Sequence, residues 1–313
     1  MSLAKIGLLT LARIFDPRLI RATLALTWRC DHRCLTCCIW HDGQHPAELT
    51  TEEVAKFIEN NNLMWLALTG GESFLRTDIA EILHMAMMKY ASVSISTNGS
   101  QPGKIEQSVM YALKGNDNIL SINLSLDGDK AQHDKFTRRD GSFERVTETV
   151  DRLKALNNKR VSINIQNLVS PITADGWDWV QKYTLVKNIR LTYSIEMRAD
   201  SYYRNEDIPF VKPQMPPMGW KISLQNPFTY LYIRKGRQNK HLKCVASTYT
   251  VSITPDGFTK PCWFLKKQCY NIRDTNYKLI SLDCKDLVDK CEMDCLTPCE
   301  GYPAMMLRPW RIL

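Results

Sequence analysis

The sequence predicts an α/β fold, a partial (β/α)6 TIM-like barrel followed by a small, cysteine-rich C-terminal module that contains a β-hairpin. Three observations support this fold. Short apolar runs alternate with amphipathic stretches of helical length from residue 24 to residue 195, a hairpin signal follows near residue 256, and cysteines occur only near the two ends of the chain. Six strand–helix units with right-handed crossovers favour an open barrel over a closed one of eight strands.

Each element is assigned from its apolar period and its end signals. Thr50 and Glu53 predict a capping box for a helix that ends near Asn62, and Thr77 is the predicted cap of a second helix, over residues 78–89. Further helices are predicted over residues 105–114, 143–156 and 174–185. The predicted strands are Leu24–Trp28, Leu63–Leu68, Ser92–Ser96, Ile119–Ser125, Val161–Asn167 and Ile189–Ile195.

The chain divides into an N-terminal amphipathic segment (1–21), a barrel core (22–200), a connector rich in proline and aromatic residues (201–243) and the C-terminal module (244–313). In the module, Pro255-Asp256-Gly257 between Tyr249–Thr254 and Phe258–Phe264 predicts the hairpin. Leu3–Phe15 is a predicted amphipathic helix. We expect it to pack on its own domain or, as an alternative, to lie on a membrane surface.

The composition excludes several classes of protein. With 44% hydrophobic and 24% charged residues, the 313-residue chain is expected to be globular. Lys5 and Arg13 interrupt the apolar N-terminus, which argues against a secretory signal or a membrane-spanning helix and favours the cytoplasm. The net charge of +8 is spread along the chain, so a nucleic-acid partner is not expected. Eleven cysteines in a reducing compartment indicate metal binding.

Cys30, Cys34 and Cys37 place three thiols in the loop after the first predicted strand. Soft thiolates select zinc, copper(I) or iron–sulfur clusters. A set of three favours a cluster with one open iron, because a structural zinc site normally has four protein ligands. As an alternative, a neighbouring histidine completes a zinc site; the candidates are His32, His41 and His45.

Three more signals follow successive predicted strands: Gly70-Gly71-Glu72, Ser96-Thr97-Asn98-Gly99 and Ser125-Leu126-Asp127-Gly128. Together with the cysteine loop, they make residues 22–195 resemble the radical S-adenosylmethionine (radical SAM) superfamily. Four signals in the same order on successive strands are far more specific than Gly-Gly-Glu alone, which is typical of an ordinary turn.

The resemblance implies a catalytic 4Fe–4S cluster on Cys30, Cys34 and Cys37, with the fourth iron binding the amino and carboxylate groups of SAM. Reductive cleavage of SAM would yield a 5′-deoxyadenosyl radical that abstracts hydrogen from an unactivated C–H bond. Flavodoxin or ferredoxin is the implied reductant. The implied SAM contacts are Gly70, Gly71, Glu72, Asn98, Ser125, Asp127 and Arg138, with Arg139 as an alternative to Arg138.

The C-terminal cysteines resemble the SPASM and twitch extensions of radical SAM enzymes, through Cys244-x12-Gly257-x4-Cys262. This implies at least one auxiliary 4Fe–4S cluster, on Cys244 and Cys262 with two of three further cysteines. Those three are Cys291, Cys295 and Cys299. Cys38, Cys269 and Cys284 are assigned to packing. As alternatives, all seven C-terminal cysteines bind two clusters, or the tail holds a structural zinc ion.

SPASM and twitch relatives act on peptides and on small molecules, and we expect a peptide or protein substrate. A lipid or small-molecule substrate at the membrane surface is the alternative, and it predicts an apolar cavity above the cluster. A third hypothesis is a non-catalytic binding protein stabilised by zinc or by an iron–sulfur cluster.

Overall fold

The computed structural model describes residues 19–40, 46–196 and 244–291. The predicted N-terminal helix, the connector, His41, His45, Cys295 and Cys299 lie outside the described residues. Within the described ranges, no helix is long and apolar enough to cross a membrane.

In these ranges, eight strands form one open sheet in the order β6-β5-β4-β3-β2-β1-β7-β8. Neighbours are parallel from β6 to β7, and β8 runs antiparallel to β7. The strands are β1 Arg21–Ala25, β2 Trp65–Thr69, β3 Ser92–Thr97, β4 Ile119–Ser125, β5 Val161–Val169, β6 Arg190–Ile195, β7 Thr250–Ile253 and β8 Thr259–Lys260. The predicted partial barrel is confirmed.

Helices connect the parallel strands and cover one face of the sheet. They are α1 Thr51–Asn60, α2 Ile79–Lys89, α3 Pro102–Ala112, α4 Lys130–Thr137, α5 Ser142–Ala155 and α6 Trp177–Lys187, with the short α7 Lys285–Asp289 near the end of the described chain. The sequence did not predict α4, whose short, polar stretch KAQHDKFT lacks a clear apolar period.

The capping box at the start of α1 forms as predicted, because Glu53 N donates to Thr50 Oγ1 at 3.3 Å and Thr50 N donates to Glu53 Oε2 at 2.9 Å. The predicted cap of α2 is wrong. Its N-cap residue is Asp78 rather than Thr77, and the Asp78 carboxylate accepts hydrogen bonds from Arg76 instead of capping the helix. A nearby guanidinium therefore outcompetes the backbone donors for this side chain.

The two faces of the sheet differ in chemistry because strand side chains alternate. Leu68, Ile95, Ile122 and Ile165 are at most 1% exposed and pack in the core with the helices. On β3 to β6, the opposite face carries mainly hydroxyl and carboxamide groups. We call this set the polar face: Ser94, Ser121, Asn123, Asn164, Gln166 and Ser194, which the strand register aligns.

The C-terminal hairpin extends the barrel sheet. Ala22 of β1 pairs with Val251 of β7, and the sheet continues from β7 into β8. Both strands are shorter than predicted, since β7 covers Thr250–Ile253 and β8 only Thr259–Lys260. The proposed module from residue 244 onward thus shares backbone hydrogen bonds with the first strand of the core.

Residues 272–280 attach this C-terminal part to α1. Arg273 binds the Glu53 carboxylate in a bidentate contact of 2.5 and 2.9 Å, and the Tyr277 hydroxyl donates to the same group at 3.0 Å. The Arg273 hydrogen bond lowers the pKa of Glu53 to about 2, against the opposing effect of partial burial. One carboxylate therefore serves both the helix cap and the docking of the C-terminal part.

We expect Glu53→Gln to destabilise the protein by about 1 kcal/mol, because it removes the charge that binds Arg273 across a half-buried contact. For a chain of this size, that loss lowers the melting temperature by about 2 °C. The matched control is Glu52→Gln, an acidic neighbour in the same helical turn. Equal melting temperatures for the two variants, measured by circular dichroism at pH 7, would contradict this role.

The pH dependence follows from the same contact. Because the folded pKa of Glu53 lies below its ordinary value of 4.5, the stabilisation is present above pH 4.5 and is lost as the pH falls toward about 2.

Candidate active site at the cysteine loop

Cys30, Cys34 and Cys37 lie in the loop after β1, on the rim formed by the carboxyl ends of the parallel strands. All three are free and half-buried. Two backbone hydrogen bonds fasten the loop to the last turn of α4, whose final carbonyls have no partner within the helix. They run from Arg33 N to Thr137 O and from Leu35 N to Phe136 O, both at 3.0 Å. The helix that the sequence did not predict therefore supports the cysteines.

The thiols lie in a desolvated and acidic setting. Burial raises the pKa of Cys30 and of Cys37 to about 12, and it raises the pKa of Cys34 well above its ordinary value. The carboxyl of Glu72 raises the pKa of Cys30 further, and that of Asp127 raises the pKa of Cys34. Bare thiolates are costly here, so a cationic centre that accepts them would displace their protons.

Gly70 and Gly71 bring the end of β2 against the cysteine loop. Gly71 N donates to Thr27 O and Glu72 N to Arg29 O, both at 2.8 Å. A Cβ at Gly71 would lie 2.1 Å from Arg29 O, and one at Gly70, where φ is +145°, would lie 2.6 Å from Thr27 O. No side chain fits at either position. Since these N–H groups are used within the protein, this turn offers a ligand its carbonyl oxygens.

Glu72 is fully buried and connects the ends of two strands. Its carboxylate accepts hydrogen bonds from Phe74 N at 2.9 Å, Thr97 Oγ1 at 2.9 Å and Asn98 N at 2.7 Å. Burial raises its pKa to about 7, although these hydrogen bonds act in the opposite direction. The side chain is thus an internal clamp, and only the backbone of Glu72 is left for the predicted SAM contact.

Three comparisons with known proteins bear on this site. The family profile of the radical SAM superfamily matches residues 25–168, which include the cysteine loop and the ends of β2, β3 and β4. Residues 25–168 are a radical SAM domain. The matched range ends in β5, before the C-terminal part.

The relatives are distant. The chain is 24% identical to the antilisterial bacteriocin subtilosin biosynthesis protein AlbA of Bacillus subtilis, over 80% of this chain and 56% of AlbA. It is 33% identical to a GTP 3′,8-cyclase of Lactiplantibacillus plantarum over 45% of this chain and 44% of the cyclase. It is 29% identical to the mycofactocin maturase MftC of Mycobacterium tuberculosis, over 48% of this chain and 41% of MftC. The chain thus spans about half the length of these relatives.

Among solved structures, anSMEcpe with bound AdoMet and the Kp18Cys peptide has a similar fold. The TM-score is 0.56 at 15% sequence identity, and the alignment covers 93% of this chain and 98% of anSMEcpe.

In this radical SAM domain, Asn98 joins the loop after β3 to the cysteine loop. Asn98 Nδ2 donates to Asp31 Oδ1 at 2.7 Å, and Arg139 forms an ion pair of 2.9 Å with the same carboxylate. Sequence reasoning missed Asp31, which carries no signal beyond its place beside Cys30. Arg138 is not part of this contact with Asp31. It ends α4 in the left-handed region at φ 53° and is exposed to solvent. Of the two candidate arginines, the structure places Arg139 at the loop.

Asp127 and Ser125 lie at the end of β4. The Asp127 carboxylate is buried and accepts from Leu168 N at 2.7 Å and from Asn167 Nδ2 at 3.3 Å. Burial raises its pKa to about 7 against these hydrogen bonds. Asp127 therefore holds β5 to β4, whereas Ser125 is half-buried at the rim end of the polar face.

His32 is 2% exposed, and its Nε2 lies 3.4 Å from the Ser142 hydroxyl oxygen. The same hydroxyl oxygen lies 3.1 Å from Nε2 of His133. Burial lowers the pKa of both imidazoles to about 4. Within the described ranges, no three His, Cys, Asp or Glu side chains are placed around a single metal ion. An iron–sulfur cluster does not require such a group, because each thiolate binds a different iron of the cluster.

The C-terminal cysteines of the described ranges lie before β7, after β8 and on either side of α7. Cys244 is exposed, Cys262 follows β8 and is half-buried, and Cys291 lies just after α7. Cys269 and Cys284, assigned to packing from the sequence, lie with their sulfur atoms 2.9 Å apart.

The close approach at Gly71 can be tested directly. We expect Gly71→Ala to displace the cysteine loop, because the new Cβ would meet a backbone carbonyl that cannot move independently. Iron content after anaerobic reconstitution should fall by about four atoms per chain, the content of one 4Fe–4S cluster. Gly103→Ala is the matched control, since no atom lies within 4 Å of the position that its Cβ would occupy and alanine favours a helix. Normal iron content in Gly71→Ala would show that the approach is not required.

Proposed function

We propose that the protein reductively cleaves SAM and abstracts hydrogen from an unactivated C–H bond of a peptide or protein substrate. The observation that carries this proposal is the set of three thiols on the carboxyl rim of a parallel sheet, held between the Gly70–Gly71 turn and α4. The donor set fits the cofactor, because three soft ligands in one loop leave one iron of a 4Fe–4S cluster open.

Cys30, Cys34 and Cys37 would hold the cluster. When bound, the cluster would supply the electron for reductive cleavage of the SAM sulfonium bond, and SAM would supply the hydrogen-abstracting group. The reductant is a one-electron carrier of the flavodoxin or ferredoxin type.

The residues of the chain contribute binding and orientation. The carbonyl oxygens of the Gly70–Glu72 turn would accept from the SAM amino group, and Arg139, held by Asp31, would bind its carboxylate. Asn98 and Ser125 lie at the neighbouring strand ends, where the ribose hydroxyls require polar partners. Glu72 and Asp127 support the site indirectly, because their buried carboxylates hold neighbouring strand ends together.

The first test is SAM cleavage. With dithionite, the reconstituted protein should form 5′-deoxyadenosine, and Cys30→Ala, Cys34→Ala and Cys37→Ala should each reduce formation to background, because each removes one iron ligand. Cys38→Ala is the matched control, an adjacent thiol without a ligand role. Product formation by a Cys34→Ala variant, measured by liquid chromatography with mass detection, would overturn the assignment.

Two lines of support favour a peptide substrate. AlbA is named for bacteriocin biosynthesis, MftC is named a maturase, and anSMEcpe was solved with a peptide. The polar face provides a second line, because Asn164 Nδ2 donates to Ser121 Oγ at 2.7 Å and Gln166 Nε2 to Ser194 Oγ at 2.5 Å. Carboxamides and hydroxyls suit the amide groups of a peptide better than an acyl chain.

A small polar molecule is the second candidate, supported by the similarity to GTP 3′,8-cyclase. Hydrogen transfer separates these classes even while the substrate itself is unidentified. The enzyme is supplied with a perdeuterated peptide digest, a perdeuterated lipid extract or a perdeuterated metabolite pool, and 5′-deoxyadenosine is analysed for deuterium. We expect deuterium from the peptide digest; transfer from only one of the other pools would reassign the substrate.

We also propose a C-terminal auxiliary 4Fe–4S cluster on Cys244, Cys262 and two of Cys291, Cys295 and Cys299, in a SPASM/twitch-like module. The double variant Cys244→Ala/Cys262→Ala should lose about four iron atoms per chain and keep those of the first cluster. Iron and sulfide are counted after anaerobic purification. A protein that holds zinc and no iron would instead support the non-catalytic alternative.

A further inference from the structure

Cys269 and Cys284 form a pair of thiols outside both proposed cluster sites. Their sulfur atoms are 2.9 Å apart, and both are free cysteines. Cys284 is 3% exposed and Cys269 is half-buried.

Each of the two cysteines is positioned by contacts that do not involve sulfur. Cys269 N donates to Thr259 O of β8 at 2.8 Å. Cys284 is the N-cap residue of α7, and its carbonyl accepts from Val288 N at 3.1 Å. Between them, Ile280 N donates to the Tyr270 hydroxyl at 2.8 Å. The backbone therefore brings the two sulfur atoms together.

We propose that Cys269 and Cys284 are a covalent modification site, where a small-molecule disulfide such as oxidised glutathione forms a reversible intramolecular disulfide. One thiol loses its proton and attacks the oxidant, releasing one glutathione thiol and forming a mixed disulfide. The second thiol, also deprotonated, then displaces the second glutathione thiol. Two protein thiols are oxidised by two electrons in total, and one glutathione disulfide is reduced to two thiols.

The geometry favours this reaction over oxidation at other cysteines. The sulfur atoms need to approach by about 0.9 Å from 2.9 Å to reach the bond length of a disulfide. Burial, with the adjacent Cys284, raises the pKa of Cys269 to about 12, so little of its reactive thiolate is present at neutral pH. Thiols that bind iron are protected by ligation, which leaves this pair available.

The bond would connect the hairpin to α7. α7 begins directly after Cys284 and is followed by Cys291, while Cys262 follows β8. A disulfide would therefore fix the segment with Cys291 relative to the segment with Cys262, two of the proposed auxiliary ligands. The oxidation state of the pair would thus affect how firmly the auxiliary site is held.

The test is peptide mapping of the reconstituted, full-length protein after anaerobic incubation with oxidised glutathione. After unfolding, alkylation of free thiols and trypsin digestion, we expect residues 268–273 and 279–285 as one linked species, two hydrogen atoms lighter than the separate peptides. Dithiothreitol should release them. The linked species should persist in Cys38→Ser, the matched control, and be absent in Cys269→Ser. Recovery of both cysteines alkylated, or each joined to glutathione, would overturn the proposal.

Iron content provides the second readout. Cys269→Ser/Cys284→Ser should retain the iron content and the 5′-deoxyadenosine formation of the unchanged protein. A loss of iron would identify the two cysteines as cluster ligands and overturn the proposal. The linked peptide of the unchanged protein does not depend on whether this variant folds. The proposed function is judged by SAM cleavage, so the two can fail independently.

Discussion

The cysteine loop depends on one close backbone approach, between Gly70–Gly71 at the end of β2 and residues 27–29 after β1. Any side chain on either glycine would overlap a carbonyl of the loop. The approach sets the height of the loop above the sheet, and it turns Glu72 inward so that its carboxylate reaches the end of β3. The rim that would hold a cluster and SAM is thus built from backbone contacts, with side chains supporting it from below.

Two buried carboxylates do this supporting work. Glu72 connects β2 to β3 and Asp127 connects β4 to β5, each through hydrogen bonds from backbone donors. Their side chains are therefore committed within the protein. Among the residues that the structure describes, backbone carbonyls, Asn98, Ser125 and the Asp31–Arg139 pair are left at the rim to meet a ligand. This division accounts for the presence of acidic residues beside thiols that, in the proposed function, would bind iron as anions.

β1 connects the two cysteine-bearing parts of the chain. Its carboxyl end leads into the loop with Cys30, and its edge pairs with β7 of the hairpin that precedes Cys262. Contacts of Arg273 and Tyr277 with Glu53 add a second attachment, between the C-terminal part and α1. The hairpin of the C-terminal part therefore belongs to the same sheet as the core. The sequence predicted the hairpin but not its pairing with β1.

The sequence by itself determined the alternation of strands and helices, the bounds of β4, the capping box at Thr50 and the cysteine loop, because apolar period, cap chemistry and ligand spacing are local properties. Local patterns could not predict α4, whose polar stretch becomes a support for the loop only in three dimensions. Only tertiary structure decided that Arg139 rather than Arg138 contacts Asp31, that Glu72 points inward, and that Cys269 meets Cys284. These contacts depend on which groups from distant parts of the sequence compete for each side chain. The local sequence around a residue does not contain that information.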